Sequence, residues 1–194
     1  TKLYTGTRAN LNVTFDGNSD MSPNLVWVKD RTNTNNQIMF DSVRGINKAI
    51  LPNAANAETT YTDSVTAFNS DGFTLGDDDE GQCNVDGNAC ASWNWKAGTS
   101  FTNDASSTGI GSIDSAGSVS TAAGFSIISY TGTGSAATVA HGLGSAPRMI
   151  IIKDRSNSRN WGVYHQSMGN LDAIYLDLTN EKGGNSSAFW NSTS

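Results

Sequence analysis

The chain has 194 residues, of which 37% are hydrophobic and only 15% charged, with a net charge of −6. Ser, Thr and Asn, 65 residues together, replace the missing charges, and with 20 Gly they speak for strands and turns over helix. Five Trp, seven Phe and five Tyr supply a packed core and exclude disorder, the acidic balance excludes the basic stripe of a nucleic-acid binder, and no apolar run reaches the roughly 18 residues of a membrane-spanning helix.

In chain order, residues 11–15 alternate apolar and polar, a half-buried strand turned by Asp16-Gly17. Leu25-Val26-Trp27-Val28-Lys29-Asp30-Arg31 comes two residues after Pro23. Four apolar residues closed by a charged triplet predict a buried strand that ends in a polar loop. Residues 37–42 form the next strand, and 49–51 a short one stopped by Pro52. Residues 65–68 and 72–76 predict a hairpin around Asn69-Ser70-Asp71. Residues 90–95 predict a strand with Trp93 and Trp95 on one face. From 99 to 122 the chain is rich in Gly, Ser and Thr with few large residues, which predicts a linker. Strands are then expected at 125–130, 137–140, 149–153, 161–164, 173–178 and 188–190, with a helical turn as competitor at 171–178.

The chain repeats itself. Setting Pro23 on Pro147 aligns residues 23–51 with 147–175 without a gap, and nine of the twenty-nine positions are identical. Lys29-Asp30-Arg31 falls on Lys153-Asp154-Arg155, Gly45 on Gly169, Phe40 on Tyr164 and Asp41 on His165. Tyr4-Thr5-Gly6 matches Tyr130-Thr131-Gly132, and Ala67-Phe68 matches Ala188-Phe189. A unit of about 125 residues is too long for a solenoid and suits a duplicated β module. The expectation is an all-β, sandwich or jelly-roll-like fold: a first repeat over 1–98, the linker, and a second repeat over 123–194 that stops before a counterpart of residues 72–76. The predicted core is Trp27, Phe40, Ile50, Phe73 and Trp93 in the first repeat and Ile151, Tyr164, Ile174 and Phe189 in the second. An incomplete second repeat would expose apolar surface, to be covered by more of the chain, a neighbouring copy or another protein.

Few residues suggest chemistry. Cys83 and Cys90 flank Asp86-Gly87, a hairpin signal that would set the thiols opposite each other; they read either as a disulfide or as two unlinked thiols. Asp77, Asp78, Asp79 and Glu80 are weak candidates for a hard cation, but four consecutive acids lack the spacing of a calcium loop and read first as a solvated turn. His141 sits among turn glycines and His165 at a strand end, neither beside a nucleophile, so no catalytic set is predicted and no cofactor fingerprint is present. Trp93, Trp95, Trp161 and Trp190 could stack on sugar rings, packing being the default.

Taken in order, Tyr4-Thr5-Gly6, residues 23–31, Phe40-Asp41-Ser42-Val43-Arg44-Gly45, Asp71-Gly72-Phe73-Thr74-Leu75-Gly76 and residues 91–98 resemble a repeated domain of virion structural proteins of tailed bacteriophages, many from marine and cyanobacterial hosts. Residues 123–132 and 142–147 match the junction and second copy of that family. The resemblance covers nearly the whole chain. It implies a virion protein, a tail fibre or surface appendage contributing to host attachment, or equally a capsid decoration or head-fibre protein. It implies no catalytic residues and no cofactor. The implied partners are other virion proteins, further copies of the chain with a trimer favoured, and a cell-surface glycan. A carbohydrate-binding or carbohydrate-active protein is the competing expectation. The enzyme would need two carboxylates facing one groove, and the acids here fall mostly in loops that the two repeats do not share.

Overall fold

The computed structural model describes residues 1–183, and strands dominate it. The first repeat carries β1 (Lys2–Thr5), β2 (Leu11–Val13), β3 (Leu25–Asp30), β4 (Ile38–Asp41), β5 (Gly45–Ile50), β6 (Thr59–Thr60), β7 (Val65–Asn69), β8 (Gly72–Leu75) and β9 (Ala89–Trp95). One sheet runs β1-β9-β3-β4-β5-β6, and a second runs β2-β8-β7. Alternation along β3 and β4 turns Val26, Val28, Ile38 and Phe40 toward Val13, Val65, Phe73 and Leu75 of the second sheet. All eight are buried, so the first repeat is a two-sheet sandwich. Tyr4 meets Phe73 edge-on with ring centroids 6.1 Å apart. The hairpin β7–β8 closes through Asn69 opposite Gly72. Gly72 has φ +109°, and a Cβ there would run into the Val13 carbonyl, so only glycine fits between these strands.

Residues 99–122 are not a linker. They hold β10 (Thr99–Asn103), the short helix α1 (Ala105–Thr108) and β11 (Ser115–Ser120), and with β12 (Phe125–Tyr130) they form an antiparallel sheet in the order β10-β11-β12. Small side chains do not prevent pairing, because the ladder is made by the backbone. At Gly117 they are required, since a Cβ would run into the Ile127 carbonyl. Asp104 caps α1 through the Ser107 N–H, and Gly109, at φ +67°, ends it.

The second repeat has β13 (Met149–Ile152), β14 (Gly162–His165) and β15 (Ile174–Tyr175), paired in that order. Its register copies the first. Leu25 faces Asp41 and Met149 faces His165; Val28 faces Ile38 and Ile152 faces Gly162. Met39 faces Ile50, and Val163 faces Ile174. The turn that follows is also kept. Asp41 Oδ1 accepts the N–H of Val43, and His165 Nδ1 accepts that of the aligned Ser167. Gly45 and Gly169 then both adopt positive φ.

The core differs from expectation on one face. Phe40, Ile50 and Phe73 are buried, but Trp27 is half-buried and Trp93 is 39% exposed. Both indoles lie on the side of the sheet away from the sandwich core, because Val26 and Val28 take the inner positions of β3. Ile151 is 40% exposed, since β13 is an outer strand among the described residues. Tyr164 and Ile174 are half-buried, and Phe189, Trp190 and the expected strand at 188–190 lie outside the described residues. Residues 137–140 make only an isolated bridge, Val139 to Ile113. Of the strand expected at 173–178 only Ile174–Tyr175 forms, with a turn at Leu171 before it and bends at 176–178 after it; the helical turn falls earlier, a 3₁₀ turn at Gln166–Met168.

Candidate functional site

The outer face of the large sheet carries a row of aromatic rings. Trp27 and Trp93 are direct cross-strand partners with centroids 6.2 Å apart, and Trp95 lies 6.5 Å from Trp27. Trp95 stacks on Phe125 of β12 at 6.0 Å and 23°. The Trp27 indole N–H donates to Gln37 Oε1 at 2.8 Å, which fixes the ring at the centre of the row. On its other side Trp27 packs on Met39, Ile50 and Trp161. Trp93 and Trp95 are exposed at 39% and 36%. The row is therefore anchored at its centre by Trp27 and open at Trp93 and Trp95 on either side of it, the form of a contact surface.

Trp161 is no part of the open surface. It is 3% exposed, and its indole N–H reaches the carbonyls of Leu51 and Ala54 in the first repeat. Three more ties join the repeats beside it. Lys153 Nζ donates to the Ala55 carbonyl, the Glu58 N–H donates to the Arg155 carbonyl, and the Arg155 side chain pairs with Glu58. Arg44 lies against Glu58 on its other side and also pairs with Asp41. Burial opposes ionisation of Glu58, but the hydrogen bonds from Arg155 and Arg44 outweigh it and lower its pKa.

The buried carboxylates hold loops. Asp30 is 1% exposed; its Oδ1 accepts the N–H groups of Thr32 and Asn33, and its Oδ2 accepts the amides of Asn35 and Asn88. Burial would raise its pKa, but these donors lower it. Asp154 repeats the device with Ser156 and Asn157. The preceding lysines complete it: Lys29 donates to the carbonyls of Asn33 and Asn35, Lys153 to those of Asn157 and Arg159. Lys-Asp-Arg is thus a loop-folding motif, legible in Asp followed three residues later by Asn.

The acidic run does not converge. Asp77, Asp79 and Glu80 are exposed, while Asp78 turns inward at φ +53° and is fully buried. Its carboxylate accepts Ser64 Oγ–H and the N–H groups of Cys83 and Asn84. Among the described residues, no group of three or more His, Cys, Asp or Glu is placed to hold a metal ion.

Cys83 and Cys90 are free and buried, with no disulfide between them. Only one side of the Asp86-Gly87 turn is a strand, so the hairpin that would set the thiols opposite each other does not form. Cys90 instead stands between Tyr4 and Asp30. Burial pushes the Cys83 thiol well up, helped by the charge of Asp78. It pushes Cys90 to about 11, helped by Asp30. His141 Nδ1 accepts the Leu143 N–H, a turn role, beside an open groove lined by Ile110, Val139 and Ala140.

No curated protein and no solved structure matches this chain. The model of one family, described as a domain of unknown function (DUF7483), matches residues 1–194, and the chain belongs to that family.

Proposed function

We propose that the chain is a structural module on the surface of a tailed-phage particle, a tail-fibre or similar appendage, with the aromatic row as its contact to host glycans. The order of the sequence motifs supports the phage reading. One observation supports the contact reading: Trp93 and Trp95 stand exposed on the outer sheet face, in a row fixed by Trp27 and Gln37. The buried acids Asp30, Asp41 and Asp78 bind loop N–H groups, which leaves them no free oxygen for proton transfer to a substrate. The proposed role is therefore adhesive and not catalytic, and the module acts within a multi-copy assembly with a trimer as the expected state.

The test is Trp fluorescence against a panel of bacterial surface polysaccharides. A saturable change with one of them, lost in Trp93→Ala and Trp95→Ala without loss of fold, supports the reading. No response across the panel, or a response that survives both substitutions, removes the glycan contact. Immunogold labelling of intact particles tests the location, and mass measurement in dilute solution tests the copy number.

A further inference from the structure

We propose that the open edge of β13 is a strand-addition site, and that its occupant is an extended segment with the pattern of β9 supplied by another unit of this repeat. The chain contains its own template. In the first repeat β9 lies between β1 and β3, paired from Leu25 opposite Trp95 to Asp30 opposite Cys90. The counterparts of β1 and β3 are β12 and β13, and among the described residues each is the last strand of its sheet. An Arg155 Nη1 to Ser129 Oγ hydrogen bond of 3.0 Å ties the loop after β13 to β12.

The backbone of β13 is set for the same partner. Arg31 N–H donates to the Ala89 carbonyl, so the odd-numbered residues of β3 exchange bonds with β9. Ser42 N–H donates to the Asn24 carbonyl, so within the strand the even-numbered ones face β4, while the N–H of Asn24, ahead of the strand, turns to the Trp95 carbonyl. Gln166 N–H donates to the Arg148 carbonyl in the second repeat, the same relation 124 positions on. Ile150 and Ile152 therefore bond to β14, and the backbone groups of Met149 and Ile151 point to the open side.

The side chains agree. Met149, Ile150 and Ile151 are exposed at 53%, 38% and 40%, an apolar edge without charge or proline to guard it. By contrast the edge strand β6 is Thr59-Thr60. The pattern of β9 also fits the place. Its inner positions are Cys90, Ser92 and Asn94, and its outer positions include Trp93 and Trp95, which cover Trp27 and Leu25 in the first repeat and would cover Ile151 and Met149 in the second. Backbone pairing supplies the affinity and alternate side chains the selectivity, as in other strand additions.

The test uses the 194-residue chain and a fluorescent peptide with the sequence of residues 88–96, Cys90 replaced by Ser. Anisotropy is expected to show saturable binding that a scrambled peptide lacks. Ile151→Pro removes an outward N–H and leaves the β14 ladder whole; it is expected to weaken binding at least tenfold. Leu3→Pro, the matching change on the outward side of β1, is expected to leave binding unchanged. Circular dichroism checks each fold, and Met149→Lys, at an exposed position, is the second β13 variant. The proposal is overturned by no binding, by equal binding of the scrambled peptide, or by binding that survives both β13 changes. It is overturned too by self-association that the β13 variants abolish without any uptake of peptide, which pairs the edge with β13 of a second copy and not with a β9-type strand.

Discussion

Arg155 closes on Glu58 with two parallel hydrogen bonds, Nε to Oε2 at 2.8 Å and Nη2 to Oε1 at 3.0 Å, across 97 residues of chain. This is the bidentate geometry that favours Arg over Lys. The carboxylate is 12% exposed and Arg44, on its other side, 6%. Glu58→Ala is expected to destabilise by about 3 kcal/mol, the low end for a broken buried pair, because Asp41 still faces Arg44. Arg155 is 39% exposed, so Arg155→Ala should cost only about 1 kcal/mol. Urea unfolding midpoints of the two variants test the order.

Acid should loosen the fold through the same group. Glu58 and Asp30 have pKa values lowered on folding. Their contribution is present above the unfolded values, about 4.3 and 3.9, and is lost as pH falls through the folded ones. Denaturant midpoints measured between pH 7 and pH 3 should drop, and Glu58→Gln should flatten part of that drop.

The two thiols should be silent in the native state. A thiol reagent at pH 8 is expected to label neither Cys83 nor Cys90 until the chain is unfolded, and then both; reductant should leave the melting temperature unchanged. Raised thiol pKa values contribute stability below the unfolded value of about 8.5 and lose it as pH rises toward the folded one. For Cys90 that is about 11, so alkaline destabilisation should set in above roughly pH 8.5. Fast native labelling of either residue would contradict the burial.

Core and outer face should respond differently to truncation. Phe73, fully buried between the sheets, should cost about 3–5 kcal/mol as Ala. Trp93→Ala should cost about 1–2 kcal/mol, since the indole keeps much of its surface in water and loses chiefly its contact with Trp27. Equal losses would mean that the outer row is core after all.

Much of this architecture was legible because the duplication carries register. Pro23 and Pro147, Gly45 and Gly169 mark the same turns, so aligning them aligns the strands. The side of the sheet was not legible. Leu25-Val26-Trp27-Val28 is apolar at every position, and period-two alternation cannot say which pair faces inward when both do so chemically. Trp27, the largest residue, was expected inside, yet Val26 and Val28 hold those places. Residues 99–122 misled for a related reason: a strand of Ser, Ala and Gly pairs through its backbone and leaves no hydrophobic pattern. The two carboxylates that organise the Lys-Asp-Arg loops left a local sign, an Asn three residues on, but the burial of Asp30 did not show. The burial of Asp30 depends on Asn35 and Asn88, the second of them 58 residues away. The aromatic row had one early sign, two Trp spaced by two on β9, but its length depends on Trp27 and Phe125 coming from other strands.

The seam between the repeats also sets a load path. Trp161, Lys153 and Arg155 all grip residues 51–58, the stretch that leaves β5 and leads into β6. Tension applied to the second repeat therefore reaches the first through side chains clamped on that one stretch, in parallel with the covalent chain through β10 to β12. Neither repeat swings freely, and a pull that parts them must first draw an indole and a paired guanidinium out of the neighbouring unit.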